Sequence, residues 1–296
     1  MDLVGHYLIS LRADGRSEET LRWHDASLKQ WMAWCDANAI SGDPESWTVS
    51  DIRRYVVFTQ NRTSDRTGKP LAGSSVNSLI RSLKAFCRWL LREELIARDL
   101  FAKVTVPKAP SLVIPTLSKT KIGAILRAAR VSSYPLRDEA IIVLMLDTGA
   151  RASEVCGLDL DAISWEHGIV RLFGKGRKQR YVPLSPKTAK LLQRYLFRTR
   201  GQDPGPFFLS ERGERLTRWG LEQLFGRISV RAGIRVYPHL LRHTFATEYL
   251  RAGGNVFILQ RVLGHTTLQV TLRYAQLVTD DLVDGHKQFS PITRLL

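Results

Sequence analysis

Cysteine is scarce and scattered in this sequence. Cys35, Cys87 and Cys156 are odd in number and far apart, so they supply neither a disulfide framework nor a Cys-x-x-Cys zinc site. Long apolar runs are missing too. The longest covers residues 140–146, far short of the roughly 20 residues that a membrane-spanning helix needs. At the N-terminus no basic segment leads into an apolar one, so no export signal is expected. No internal repeat or low-complexity stretch is visible. Together these absences point to a protein of the reducing cytoplasm with no membrane partner.

Acidic residues are in deficit as well. Lys and Arg number 44 against 28 Asp and Glu, a formal net charge of +16. Such an excess points to a polyanionic partner. The excess is unevenly placed: residues 1–105 hold 15 basic against 13 acidic side chains, and residues 106–296 hold 29 against 15. With 44% hydrophobic residues the chain has enough apolar material for a real core.

Helical periodicity dominates the first hundred residues. Ser17 is a candidate cap for a helix with Leu21, Leu28, Trp31, Met32 and Cys35 on one face, ending near Gly42 and Pro44. Ser50 is a candidate cap for a second, with Ile52, Tyr55 and Val56 inward. A third, over about 74–93, buries Val76, Leu79, Ile80, Leu83, Phe86, Cys87, Leu90 and Leu91. It carries Arg81, Lys84, Arg88 and Arg92 along its other side. That stripe is either a solvated face or a set of phosphate contacts, and in so basic a chain the second is expected for Arg81, Lys84 and Arg88.

Three prolines, Pro107, Pro110 and Pro115, then break the pattern and suggest an extended linker. The expected division is a helical domain over 1–105, a linker over 106–118 and a second domain over 119–296. In the second domain Ser118 is a candidate cap with Ile122, Ile125 and Leu126 inward, and residues 136–147 read as a buried helix. The period then changes. Residues 168–173 and 179–184 flank Gly174-Lys175-Gly176-Arg177-Lys178, the pattern of a β-hairpin. Ser185-Pro186 starts a helix running through Leu196, and helices over 219–225, 239–250 and 256–263 follow. The fold class is therefore mainly α with a small antiparallel β-sheet.

Four segments carry chemistry: Thr148-Gly149-Ala150-Arg151-Ala152-Ser153-Glu154; the hairpin turn continuing into Gln179-Arg180; His239-Leu240-Leu241-Arg242-His243-Thr244-Phe245-Ala246-Thr247; and Leu263-Gly264-His265 followed by Tyr274. Fixed guanidinium and imidazole donors stabilise the extra negative charge of a phosphodiester in transition. A tyrosine hydroxyl can then serve as nucleophile and form a covalent intermediate. A buried tyrosine on an amphipathic helix with Leu268, Val270 and Leu277 is the alternative for Tyr274.

In these segments, in this order, the chain resembles the tyrosine recombinases, the family of phage integrases and Xer-type recombinases. The resemblance covers nearly the whole chain, and it is most specific in the second domain. One departure is Glu248, where the family often has histidine. The resemblance implies a helical core-binding domain and a mixed α/β catalytic domain that close around duplex DNA as a C-shaped clamp. It makes Arg151 and Arg242 the holders of the non-bridging phosphate oxygens and Tyr274 the nucleophile. His239 would accept or share the tyrosine proton, and His265 would donate to a phosphate oxygen. Lys175 would protonate the departing 5′ oxygen, with Arg177 and Lys178 as alternatives in the same turn and as DNA contacts. Glu154, one turn beyond Arg151, would brace it or a neighbour.

The implied reaction is cleavage through a 3′-phosphotyrosyl bond and resealing without ATP. No carboxylate cluster accompanies the motifs, so no metal and no cofactor are expected. The implied partners are a double-stranded recombination site and further copies of the chain, a dimer on one site and a tetramer on two, with a second recombinase subunit as an allowed member. Two other functions compete: relaxation of DNA in the manner of type IB topoisomerases, and a DNA-binding regulator with vestigial chemistry. No further domain is expected ahead of the helical region, which favours a simple recombinase, either an Xer-like resolver or a mobile-element integrase. The segment over 280–296 carries Leu282, Val283, Phe289, Ile292, Leu295 and Leu296, so this tail is expected to dock on its own domain or on a neighbour's.

The charge asymmetry makes a testable prediction. A fragment of residues 106–296 should bind duplex DNA and lose at least about 100-fold in affinity between about 50 and 200 mM salt. Neutralising Arg81, Lys84 and Arg88 together should weaken the full chain and flatten its salt slope, both read by fluorescence anisotropy. An unchanged slope returns the stripe to a solvated face.

Overall fold

The computed structural model describes residues 2–64, 67–106, 116–174 and 179–275. The chain divides into two compact units, Met1–Leu112 and Val113–Leu296. Most of the expected linker, the 175–178 turn and the tail after 275 lie outside the described residues. No helix among those described is long and apolar enough to cross a membrane.

The first unit packs four helices: α1 (Leu3–Ala13), α2 (Glu18–Ala37), α3 (Val49–Asn61) and α4 (Gly73–Arg92). Its core is aromatic. Trp31 is fully buried and touches the rings of Trp34, Trp47 and Tyr55 at centroid distances of 5.4, 5.2 and 4.9 Å. Ser17 caps α2 as expected, its hydroxyl accepting from the Thr20 N–H. Two expectations are corrected. The helix ends at Ala37 with Asn38 as its C-cap, several residues before Gly42. The cap of α3 is Thr48, not Ser50: the Thr48 hydroxyl accepts from the Asp51 N–H, and the Asp51 carboxylate accepts from the Thr48 N–H. This reciprocal pair satisfies two donors at once, which a lone serine two residues later does not.

Helix α1 was not read from the sequence: Tyr7 and Leu11 are buried and Leu3, Val4 and Leu8 pack half-buried beside them, but exposed Ile9 blurs the apolar face. On α4 the inward residues are as expected, except that Leu79 and Leu91 are half-buried. Arg81 and Arg88 are exposed, whereas Lys84 is half-buried, its Nζ 5.7 Å from the centre of the Phe101 ring.

The second unit begins with α5 (Lys119–Arg130), α6 (Pro135–Thr148) and the short α7 (Ala152–Cys156). A three-stranded antiparallel sheet follows: β1 (Ile163–Ser164), β2 (Ile169–Phe173) and β3 (Gln179–Pro183). Helices α8 (Pro186–Tyr195), α9 (Arg218–Ala232), α10 (Pro238–Arg251), α11 (Val256–Leu263) and α12 (Leu268–Ala275) complete it. Helix α6 is apolar on most sides, with Ala140, Ile141, Ile142, Leu144 and Met145 removed from water, and it packs against α5, α8 and α10. The hairpin register pairs Val170 with Val182, Leu172 with Arg180 and Phe173 with Gln179. Val170, Leu172 and Val182 therefore face the core, and Arg180 shares their side of the sheet. The short β1 and α7 fall below the length at which periodicity is readable.

The corrected cap can be checked directly. Thr48→Ala should cost about 1 kcal/mol in urea unfolding of the full chain, and Ser50→Ala close to nothing. Equal losses would restore the serine as the cap.

Candidate active site

Three helices of the second unit end in left-handed glycines, and two of these ends build the site. Helix α6 terminates at Gly149 (φ 62°) and α11 at Gly264 (φ 63°). The last carbonyls of a helix have no partner inside it and carry the negative end of its dipole. Here arginines satisfy them. Arg242, on α10, donates to the Gly149 carbonyl at 2.5 Å and to the Leu263 carbonyl at 2.7 Å. Arg151 donates to the Gly264 carbonyl at 3.3 Å, and Arg180 donates to the Val262 carbonyl at 2.7 Å. A side chain at position 149 would be blocked as well as strained. Its Cβ would lie 2.5 Å from Phe245 Cδ1 and 2.7 Å from Leu263 Cδ2.

One carboxylate balances these cations. The Glu154 side chain is wholly buried. It accepts from the Arg151 N–H at 2.7 Å, from Arg151 Nη1 at 2.9 Å, from Arg180 Nη2 at 2.7 Å and from Arg180 Nη1. Burial alone would raise its pKa, but the hydrogen bonds and charge of Arg180, with those of Arg151, hold it below the ordinary 4.5. The stability it contributes is therefore in place above about pH 4.5 and is lost as pH falls through its depressed value. For Arg242, which is 3% exposed, burial and the charge of Arg151 push the pKa down to about 10, so it stays charged at neutral pH.

Three histidines surround the arginines. Arg242 Nη2 lies 2.9 Å from His265 Nε2, and His265 Nδ1 lies 2.9 Å from Thr271 Oγ1. A guanidinium only donates, so Nε2 accepts and the ring proton sits on Nδ1, directed at the threonine. The Tyr274 ring on α12 lies nearly parallel to that of His265, centroids 6.2 Å apart, and 5.2 Å from the ring of His243. It also packs on a small cluster of Ala246, Leu259 and Leu263. His239, one turn before Arg242, is exposed at the site's surface. Desolvation, then the charges of Arg242 and Arg151, depress its pKa below 6.5, so it is neutral at neutral pH. Among the described residues no group of three or more His, Cys, Asp or Glu is placed to hold a metal ion.

The sequence pattern of the phage integrase family matches residues 115–280. The tyrosine recombinase XerD of Lacticaseibacillus casei is 34% identical to the chain over 97% of its length and 96% of the relative's.

The chain belongs to the phage integrase family.

It is an enzyme of the tyrosine-recombinase type. The XerA recombinase crystal structure matches 98% of both chains with 26% identity and a TM-score of 0.53. The site-specific recombinase XerH, solved bound to a palindromic difH substrate in a post-cleavage complex, matches 90% of this chain and 79% of its own. Its TM-score is 0.71 at 19% identity, which is a likeness of fold.

Within this member of the family, the geometry gathers Arg151, Glu154, Arg242, His265 and Tyr274, with His239 close enough to feel the arginine charges. Lys175, Arg177 and Lys178 lie outside the described residues. Arg81, Lys84 and Arg88 belong to the first unit. Sequence reasoning gave no role to Arg180, Thr271 or His243, which the fold places against Glu154, His265 and Tyr274 respectively. Arg180 stands in a quoted motif, but nothing in a linear pattern says that it points inward to a glutamate 26 residues earlier.

The glycine end of α6 makes the second structural prediction. Gly149→Ala should cost about 2–4 kcal/mol, combining left-handed strain with overpacking. Gly213→Ala, at φ 77° but with open space around its Cβ, should cost only about 1–2 kcal/mol. Equal losses in urea unfolding would show that the contact with Phe245 and Leu263 relaxes.

Proposed function

We propose that the chain recombines DNA site-specifically, with Tyr274 as the nucleophile that cuts each strand. The observation that carries this is the placing of the Tyr274 ring beside His265 and His243, in a site where Arg151, Arg180 and Arg242 face a single carboxylate. Such a site has spare positive charge and suits an added anion.

In the proposed reaction Arg151, the more accessible of the two arginines, and Arg242 engage the non-bridging oxygens of the scissile phosphate. The Tyr274 hydroxyl attacks phosphorus and its proton passes to neutral His239. The bond between phosphorus and the 5′ oxygen breaks, and Lys175 supplies the proton to that oxygen. A 3′-phosphotyrosyl bond retains the energy for rejoining. His265 Nε2 accepts from Arg242 in this structure, so donating to phosphate requires that nitrogen to gain a proton. Residues 1–105 would clamp DNA through the face carrying Arg81, Lys84 and Arg88, and residues 119–296 would hold the chemistry. Arg177 and Lys178 would touch the backbone beside Lys175. Two copies on one site and four on two sites follow from the four strand cuts of a recombination event, and the cytoplasm, on the nucleoid, is the proposed location. The DNA-bound XerH supports the DNA partner, and the full-length likeness to XerD favours recombination over relaxation or a vestigial regulator.

The test is covalent trapping. The full chain, incubated with EDTA and a library of short nicked duplexes, should form an adduct that maps to Tyr274, and sequencing the retained DNA would give the target. Tyr274→Phe should keep DNA affinity within about twofold and lose the adduct, a fall in cleavage of at least about 1,000-fold. An adduct that survives this change would overturn the assignment.

A further inference from the structure

We propose that Arg180 is a positioning residue for strand cleavage: through Glu154 it fixes Arg151, and through the Val262 carbonyl it fixes the turn that carries His265. The inference rests on the function proposed above and adds a residue to it.

The geometry leaves Arg180 nothing to do with DNA directly. Its side chain is about one-tenth exposed, and all three of its nitrogens donate inward. Nη1 and Nη2 take the two oxygens of Glu154, and Nε takes the Val262 carbonyl. The turn at Gly264 is packed on its stem, since a Cβ there would stand 3.0 Å from Arg180 Cδ. Arg180 is also the second residue of β3. One side chain therefore ties β3, the Arg151 segment and the His265 turn into a single unit.

The physical consequence concerns the charge on Glu154. Three cations face it: Arg151 from the segment before α7, Arg180 from β3, and Arg242 from α10. Without Arg180 the carboxylate loses two of its four hydrogen bonds while remaining buried, and burial then favours the protonated form. A neutral acid holds Arg151 less firmly than a carboxylate does. Lysine at 180 keeps a charge but lacks the planar fork, so it cannot serve both oxygens and the carbonyl together. A misplacement of Arg151 by about 1 Å is enough to cost about 100-fold in rate.

The experiment measures single-turnover cleavage at saturating protein from about pH 5.5 to 9 on the trapped substrate, with thermal unfolding of each variant in parallel. Arg180→Gln should lose about 100-fold at the acid end and regain rate as pH rises and Glu154 ionises. Arg180→Lys should fall between it and the parent. The double variant with Glu154→Gln should be no slower than Glu154→Gln alone and should lose the pH dependence, because both changes break one linkage. The proposal is overturned if Arg180→Gln cleaves at the parental rate, if its loss is pH-independent and tracks the unfolded fraction, or if the double variant is additive. Should the parent chain form no adduct, the nucleophile assignment fails, and Arg180 is judged separately by amide hydrogen exchange over 149–156 and 262–265. Protection there should drop in Arg180→Gln and partly return in Arg180→Lys; unchanged protection overturns the proposal.

Discussion

Glu154 sits out of contact with water and accepts from two guanidinium groups, and the placement of the other motifs depends on that pairing. Removing one member of a buried ion pair typically costs about 3–5 kcal/mol, because the remaining charge is left without compensation. Glu154 pulls the Arg151 side chain and main chain toward one point, and it draws in Arg180 from a strand far away in the sequence. The carboxylate is the hub of the site even though it has no place in the proposed bond-making steps.

The second constraint comes from helix ends. Carbonyls at the C-termini of α6 and α11 need donors, and Arg242 supplies both with one side chain while its charge is almost sealed from solvent. Burying a cation is unfavourable unless hydrogen bonds and nearby negative potential offset the lost hydration. Helix dipoles and Glu154 offset part of it, and burial together with Arg151 still lowers the pKa of Arg242. The site is thus assembled with a residual preference for an anion. That preference accords with a family whose substrate is a polyanion. The left-handed glycines are part of the same device, since Gly149 and Gly264 expose the carbonyls and keep space for Phe245, Leu263 and the Arg180 stem.

Legibility in the sequence followed the strength of the local signals. Strong amphipathic periodicity revealed α4, capping serines revealed α2 and α5, and a Ser-Pro start revealed α8. Weak ones failed: α1 has apolar residues on its exposed side as well as its buried one, α7 spans five residues, and the α3 cap depended on a side-chain exchange between Thr48 and Asp51 that a scan for single capping residues overlooks. Around Glu154, the residues Arg151, Arg242, His265 and Tyr274 were singled out because they stand in motifs, and the fold brings them together. Arg180 stands in a motif but was given no role, and Thr271 stands in none, since their partners are chosen by packing and not by spacing along the chain.

What the sequence determined by itself was the inventory: a basic chain with helix-forming segments, one hairpin and a set of residues fit for phosphate chemistry. Charge, periodicity and residue type are local properties, and they survive without a fold. What only the tertiary structure decided was which group serves which. It put the Glu154 carboxylate between Arg151 and Arg180, gave the Gly149 and Leu263 carbonyls to Arg242, and set the proton of His265 on the nitrogen facing Thr271. Those pairings join residues up to 93 positions apart, and they persist only once burial has removed water as the competing partner.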